Sequence, residues 1–185
     1  MVQLNNDKLN ELFDIANNHN MISTKNIISK EILLSEGDIS NSIYFVDSGL
    51  LRLWNNNDGV DITLQFFFPG DVVSSFESFY FQKPSKFSLD AVENSTIYFI
   101  SHNDFTTLLD RYPDLYENLF LAISRRFIDY TNYFFSRIKN NPEQRFIELS
   151  EQNPLIFKQV PHYYIASYLG ITPVSLSRIR NRLNK

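Results

Sequence analysis

The 185-residue sequence predicts an α+β fold, with an N-terminal antiparallel β jelly roll, a long connecting helix and a C-terminal helix-turn-helix. From residue 22 to residue 100, apolar residues mostly recur at a period of two, which is typical of strands. From residue 103 the period becomes helical, and near the C-terminus a glycine separates two short helical patterns. We therefore predict a β domain with flanking helices at 1–112, a connecting helix at 113–139 and a helix-turn-helix domain at 140–185.

Short strand patterns separated by turn signals fill the β region, after a short helix predicted at 7–16. Strands are predicted at 43–46, 50–54, 60–68, from 72 onward, at 87–91 and at 96–100. The turn signals between them include Asp47-Ser48-Gly49, the run from Asn55 to Gly59, and Pro69-Gly70-Asp71. Short strands at this spacing favour a jelly roll or barrel.

The connecting helix, predicted at 114–139 after a short helix at 104–111, carries an apolar stripe. A second apolar group, Leu115, Ala122 and Tyr133, flanks the stripe on one side. One face is therefore predicted to pack on the β domain while the other meets a partner helix in a homodimer; alternatively, both faces are buried within one subunit. The stripe consists of Tyr116, Leu119, Phe120, Ile123, Phe127, Tyr130 and Phe134.

A capping box predicts the first helix of the C-terminal domain. Asn141 is placed to cap this helix, Pro142 is at its first position, and Gln144 can complete the box. The residues predicted to face inward are Phe146, Ile147 and Leu149.

The predicted helix-turn-helix spans residues 160–185. Its first helix covers 162–169 and stops at Gly170, because glycine readily adopts a positive φ. Thr172 caps the second helix, which starts at Pro173 and runs to about Asn184. Ala166 is small where the two helices must cross closely.

One face of the second helix has the side chains that read a major groove. Arg178 can bind a guanine edge, Asn181 can pair with adenine, and Val174 can contact a thymine methyl group. Thr172 and Ser175 lie near the helix start, where hydroxyls and free N–H groups can hold phosphate. Leu176, Ile179 and Leu183 are predicted to face the core. The predicted DNA-binding residues are Thr172, Pro173, Val174, Ser175, Ser177, Arg178, Asn181 and Arg182.

The charge distribution also favours a nucleic-acid surface in this module. Residues 152–185 contain five Lys or Arg and no Asp or Glu, whereas the whole chain carries −4, so residues 1–151 sum to −9. A basic module on an acidic body is typical of nucleic-acid binding confined to that module. The alternative is a helical hairpin with a solvated basic face.

Composition excludes several other classes of protein. Hydrophobic residues make up 43% and charged residues 21%, which is typical of a globular chain. We find no apolar run long enough to cross a bilayer and no signal-peptide pattern, and the absence of cysteine is consistent with a cytoplasmic protein. No catalytic grouping is apparent, so we expect no enzymatic activity. The three histidines are well separated and absent from residues 22–100, so we expect neither a metal site nor a resident cofactor.

The order of these parts resembles the CRP/FNR superfamily of bacterial transcription regulators, whose β domain is of the cyclic-nucleotide-binding type. The segments that carry the resemblance are 36–38, 43–49, 69–73, 165–172 and 176–179, and its polar, Asn-rich style resembles the Bacteroidetes branch. The resemblance implies a homodimer that binds an inverted repeat in double-stranded DNA, with RNA polymerase and a small-molecule effector as further partners.

Two departures from the family pattern bear on the effector. Members that bind cyclic AMP carry a glutamate and an arginine at positions that fall on Ser75 and Ser85 here. Neither serine supplies the charge, so we expect weak or no binding of cyclic AMP. A cassette shifted onto Glu77 and Lys86 is the alternative. The predicted effector pocket consists of Ser74, Ser75, Phe76, Glu77, Ser85 and Lys86.

The DNA-reading end also departs from the family. Arg178 matches a base-contacting arginine of the family, but Pro173 and Val174 occupy its other two base-reading positions, so we expect a different operator. The sequence ends directly after the second helix, and we therefore expect the β wing of the family to be missing or truncated. The alternative function is a sensing or protein-interaction module that no longer binds DNA.

Overall fold

The structure is a computed structural model that describes Asn5 and residues 7–183. Among these described residues, an N-terminal helix precedes a region of eight strands with one short helix inserted, and six further helices follow. The elements are α1 Asp7–Asn18, β1 Ile22–Ile27, β2 Ile32–Leu34, β3 Ser42–Ser48, β4 Leu51–Asn57, β5 Val60–Phe67, β6 Val72–Val73, α2 Phe76–Phe81, β7 Ser88–Ala91, β8 Ser95–Ser101, α3 His102–Arg111, α4 Leu115–Lys139, α5 Pro142–Gln152, α6 Ile156–Gln159, α7 His162–Leu169 and α8 Pro173–Leu183.

The strands form two four-stranded sheets, as the predicted jelly roll requires. The strand orders are β1-β8-β3-β6 and β2-β7-β4-β5. The β1–β8, β3–β8, β3–β6, β2–β7 and β4–β7 pairs are antiparallel. One apolar cluster contains residues of both sheets, including Val46, Leu53 and Ile97. The inward faces of the two sheets therefore share this core.

A second apolar cluster involves the helices around the β domain. Phe13 of α1, Leu108 of α3 and Leu115 of α4 are buried together with Phe45 of β3. Phe45 and Val46 are neighbours in one strand but belong to different clusters, because successive side chains point to opposite faces of a sheet. These helices thus cover the outer face of the β1-β8-β3-β6 sheet.

Several boundaries differ from the prediction. The turn predicted at 55–59 is only Asp58-Gly59, with φ of 52° and 85°, and β4 extends to Asn57. Positive φ at both loop residues is the geometry that matches the twist of a two-residue hairpin. The short helices α2 and α6 were not predicted, because four to six residues are too few for a helical period to be recognised.

Two residues predicted to face inward are exposed. Ile147 of α5 is exposed while Phe146 and Leu149 are buried, because consecutive helical residues differ by about 100° in direction. Leu183, in the last turn of α8, is 41% exposed although it lies in line with Leu176 and Ile179. A periodic pattern gives the direction of a side chain, but it does not show how far along the helix the covering surface extends.

The chain forms two compact units. One contains the described residues up to 55 together with 65–126, and the other contains 56–64 together with 127–183. The tip of the β4–β5 hairpin therefore belongs to the unit that holds the helix-turn-helix, and α4 contributes residues to both units. No helix among the described residues is long and apolar enough to span a membrane.

Gly49, between β3 and β4, has very tight surroundings. Its φ is +88°, and a Cβ added there would lie 2.5 Å from Ser95 Cβ and 2.6 Å from Asn94 O. Gly37 has a similar φ of +92°, but a Cβ added there would meet no atom of the described residues within 4 Å. Alanine substitutions at these two glycines therefore distinguish the cost of backbone strain from the cost of steric overlap.

We predict that Gly49→Ala lowers the free energy of unfolding by more than Gly37→Ala does. Both variants place alanine at a positive φ, which costs about 1–3 kcal/mol, and only Gly49→Ala adds an overpacking cost of about 1–3 kcal/mol. Urea unfolding followed by circular dichroism measures both values. Equal losses would contradict the packing of Gly49 against Ser95.

Candidate nucleic-acid interface and effector pocket

The turn between α7 and α8 has the predicted geometry. Gly170 ends α7 in the left-handed conformation, with a φ of 67°, and its N–H bonds to carbonyls in the last turn of α7. Thr172 Oγ1 accepts a hydrogen bond from the backbone N–H of Ser175 at 3.1 Å and so caps α8. Ala166 is buried in α7. The turn and its cap fix where α8 begins.

α8 presents the predicted recognition side chains to solvent. Leu176 and Ile179 are buried, so the opposite side of the helix faces outward. Arg178 and Asn181 are exposed, one turn apart, and both carry hydrogen-bond donors at the ends of their side chains. The other exposed residues of the predicted set are Thr172, Pro173, Val174, Ser177 and Arg182, and Ser175 is half-buried.

Three side chains of the predicted DNA-binding set already have partners within the chain. The hydroxyls of Thr172 and Ser175 lie 3.0 Å apart. Arg182 forms an ion pair with Glu143 at the start of α5. An exposed ion pair of this kind is worth about 0–1 kcal/mol, which is small enough for a phosphate to replace the carboxylate.

Two arginines that sequence analysis did not identify bind the C-terminal end of α7. Arg137 donates to the carbonyl of Tyr168, and Arg145 donates to the carbonyl of Leu169 at 3.0 Å. The last carbonyls of a helix lack partners within it, and positive charge is favourable there. Arg145 also donates to the carbonyl of Asn140 at 3.0 Å, so it connects the end of α7 with the segment that precedes α5. No periodic pattern links these residues, so this contact could not be predicted from the sequence.

Two stacked tyrosines lie beside these arginines. The rings of Tyr133 and Tyr168 are 5.4 Å apart between centroids, and Arg137 lies 5.1 Å from the centre of the Tyr133 ring. Burial raises the pKa of both phenols above its ordinary value, so both stay neutral at physiological pH. The stack therefore supports the helix-turn-helix without contributing charge.

In the β domain, Ser75 and Ser85 are brought together as the predicted pocket requires. Each is only 4% exposed, and their hydroxyl oxygens lie 2.8 Å apart. Ser85 Oγ also donates to the carbonyl of Phe87 at 2.7 Å and accepts from its N–H at 3.0 Å. The two positions that carry opposite charges in cyclic-AMP-binding members therefore hold neutral hydroxyls that satisfy each other.

The other residues of the predicted pocket lie around α2. Glu77 and Lys86 form an ion pair with 3.0 Å between Nζ and Oε2, and both side chains are more than half exposed. Phe76, at the start of α2, is exposed and stacks on Tyr80. Ser74 is half-buried, with its hydroxyl 3.4 Å from that of Ser40. In this arrangement the two charges of a shifted cassette pair with each other at the surface.

A buried ion pair in the same domain was missed by sequence analysis. Arg52 is 1% exposed, and its Nε and Nη2 donate to the two carboxylate oxygens of Asp90 at 3.0 and 2.7 Å. The two residues are directly opposite in the β4–β7 ladder. Such bidentate pairing satisfies both charges of an interior pair. Arg52 is thus already matched by a carboxylate.

The apolar stripe of α4 lies in solvent rather than in the interior of the chain. Phe127, near the middle of the helix, is 71% exposed, and Phe120 and Phe134 are similarly exposed. Leu115 and Ala122 are buried, as predicted for the face that packs on the β domain. The alternative that both faces are buried within one subunit is therefore wrong. Tyr116, Ile123 and Tyr130 are also exposed, and Leu119 is half-buried.

Metal binding finds no support in the part of the chain that the structure describes. Among those residues, no group of three or more His, Cys, Asp or Glu side chains is placed to hold a metal ion.

Comparison with known proteins places this architecture in a known class. Residues 25–112 match the family described as the cyclic nucleotide-binding domain. The chain is 24% identical over 153 residues to the cyclic AMP receptor protein of Thermus thermophilus, which covers 80% of this chain and 70% of that protein. The chain therefore has a β domain of the cyclic-nucleotide-binding class followed by a helix-turn-helix.

Two solved structures share the fold over nearly the whole chain. The c-di-GMP-responsive global regulator CLP of Xanthomonas campestris has a TM-score of 0.72 at 15% identity and covers 94% of this chain and 91% of its own. A CooA mutant from Carboxydothermus hydrogenoformans has a TM-score of 0.70 at 17% identity, with coverage of 94% and 84%. The two structures show that this fold is shared, and the domain match and the relative from Thermus thermophilus agree with the predicted resemblance to the CRP/FNR superfamily of transcription regulators. The Bacteroidetes branch remains a prediction.

Proposed function

We propose that this protein is a dimeric, sequence-specific DNA-binding transcription regulator. The observation that carries the proposal is the exposed face of α8, where Arg178 and Asn181 lie opposite the buried Leu176 and Ile179. The similarity to the cyclic AMP receptor protein of Thermus thermophilus supports the same class. RNA polymerase as a partner and a cytoplasmic location are parts of this proposal.

In the proposed complex, α8 lies in the major groove. Arg178 donates two hydrogen bonds to a guanine, Asn181 pairs with an adenine, and Val174 contacts a thymine methyl group. Ser177 is exposed on the same face, where its hydroxyl can bind a base edge, and Pro173 leads into the groove. The base contacts therefore come from one helix of each subunit.

Phosphate contacts hold α8 in register at its two ends. Thr172 and Ser175 lie at the N-terminus of α8, where the helix dipole favours an anion. Arg182 exchanges Glu143 for a phosphate at the other end of the helix. These contacts supply affinity and orientation but no sequence preference.

A second copy of the chain is the proposed partner of α4. Soluble proteins rarely leave so many large side chains of one helix in water, and two-fold packing of the stripe would bury them. Helix-turn-helix readers commonly bind two half-sites about one DNA turn apart, so the dimer accounts for an inverted repeat as the operator.

The β domain is proposed to act without cyclic AMP as its effector. A cyclic phosphate at this site would meet the neutral hydroxyls of Ser75 and Ser85. Burying a phosphate without a compensating charge costs several kcal/mol. A different small-molecule effector remains part of the proposal.

We predict that Arg178→Ala weakens binding to the preferred DNA site by about 1–3 kcal/mol and relaxes base preference at one position per half-site. Fluorescence anisotropy with the site and its single-base variants measures both effects. Arg111→Ala is the matched control, because Arg111 is an exposed arginine in the last turn of α3 and outside the proposed interface.

Each outcome of this experiment has a separate meaning. Equal loss on all DNA sequences, with a salt slope reduced by about one, would mean that Arg178 holds a phosphate. Equal affinity of the Arg178 and Arg111 variants would contradict the proposed recognition face. An increase in affinity when cyclic AMP is added would contradict the proposed independence from that nucleotide.

We predict that Phe127→Asp converts the dimer into a monomer. Aspartate would introduce a charge at the centre of the stripe, where the largest contributions to an interface usually lie, and should weaken association more than about tenfold. Sedimentation velocity measures the change from twice 21.7 kDa to 21.7 kDa. Ile28→Asp is the control, since Ile28 lies in the β domain and is 68% exposed, close to the 71% of Phe127. A monomeric wild type, or dissociation by both variants, would contradict the α4 interface.

A further inference from the structure

Strand β5 lies at the end of its sheet, in the order β2-β7-β4-β5. The outer side of an edge strand presents backbone N–H and C=O groups that the sheet does not pair. Residues two apart in a strand direct these groups to the same side. The carbonyl of Asp61 and the N–H of Thr63 are such a pair, close to the tip of the β4–β5 hairpin.

One hydroxyl of the helix-turn-helix binds both of these groups. Ser167 Oγ, on α7, accepts from the N–H of Thr63 at 2.9 Å and donates to the carbonyl of Asp61 at 2.6 Å. A serine hydroxyl can donate one hydrogen bond and accept two, so it can satisfy both groups at once. Thr63 is buried, and residues 56–64 form one compact unit with α5 to α8. Ser167 thus occupies the position that a neighbouring strand would otherwise take.

We propose that the hairpin tip is a latch for the helix-turn-helix, with Ser167 as its positioning residue, and that the closed latch strengthens DNA binding. The proposal rests on the proposed function, because it concerns regulation of the same recognition helix. The latch would connect the helix-turn-helix to β4 and β5, which continue from the hairpin tip into the β2-β7-β4-β5 sheet. This connection would be additional to the one that α4 provides.

The recognition face determines the direction of the effect. With Ser167 bonded to the hairpin, Val174, Ser177, Arg178 and Asn181 are all exposed. In the latched form these four side chains are therefore accessible to DNA. Holding a binding element in place before association reduces the entropy lost on binding, so opening the latch should weaken affinity.

Hydrogen exchange at one amide tests the latch without DNA. In Ser167→Ala, the N–H of Thr63 loses its acceptor, and its exchange rate measured by NMR should rise about 5- to 30-fold. Ser167→Thr retains a hydroxyl and should restore much of the protection. Ser150→Ala is the matched control, because the hydroxyl of Ser150 donates to the carbonyl of Phe146 within α5. Unchanged exchange at Thr63 in Ser167→Ala would overturn the latch.

DNA affinity, measured on the same four proteins, tests the regulatory part. Ser167→Ala should bind the preferred site about fivefold or more weakly than the wild type and Ser150→Ala, and Ser167→Thr should recover part of the loss. Faster exchange at Thr63 with unchanged or higher affinity would overturn this part. If the wild type binds no DNA, the proposed function fails and the regulatory part fails with it, while exchange at Thr63 still decides whether the latch exists.

Discussion

The exposed apolar stripe of α4 is the constraint on which the rest of the account depends. A 25-residue helix buries Leu115 and Ala122 in its own chain and leaves a row of aromatic and aliphatic side chains in water. Burial of apolar surface contributes about 25 cal/mol per Å², so covering this stripe is a strong drive toward association. A dimer formed there would bring two copies of α8 into one particle. That association would account for the proposed inverted repeat and would add the affinities of the two α8 helices for DNA. It would also allow regulation through the distance between the two helices.

The β domain combines the architecture of a nucleotide-binding domain with an interior in which polar groups satisfy one another. Ser75 and Ser85 bond to each other, and Arg52 and Asp90 form a bidentate pair. This arrangement supports the proposal that the domain detects a ligand other than cyclic AMP or serves as a scaffold. In either case the contact between Ser167 of α7 and the hairpin tip lies close to the proposed recognition helix, and it is made by backbone groups of β5 that do not depend on the identity of an effector.

Much of this architecture follows from periodicity and caps in the sequence. Gly170, Thr172 and Pro173 specify the turn and the start of α8, and Asn141 with Gln144 forms the predicted capping box. Features that depend on contacts between distant segments could not be predicted in this way. Arg145 at the end of α7, the Arg52–Asp90 pair and the Ser167 contact join residues 24 to 106 positions apart, and no local pattern encodes such pairs. Leu183 and Ile147 were predicted to be buried but are exposed. An amphipathic pattern does not show how far the surface that covers a helix extends.

Selection of bound sequences from a random pool of duplex DNA, by the full chain with no added ligand, tests the central claim most directly. We expect recovery of an inverted repeat whose half-site centres lie about one helical turn apart, with a guanine in each half-site that Arg178→Ala no longer selects. Failure to recover any sequence, both without ligand and with cyclic nucleotides, would contradict a DNA-binding role. That result would favour a sensing or interaction module built on the same fold.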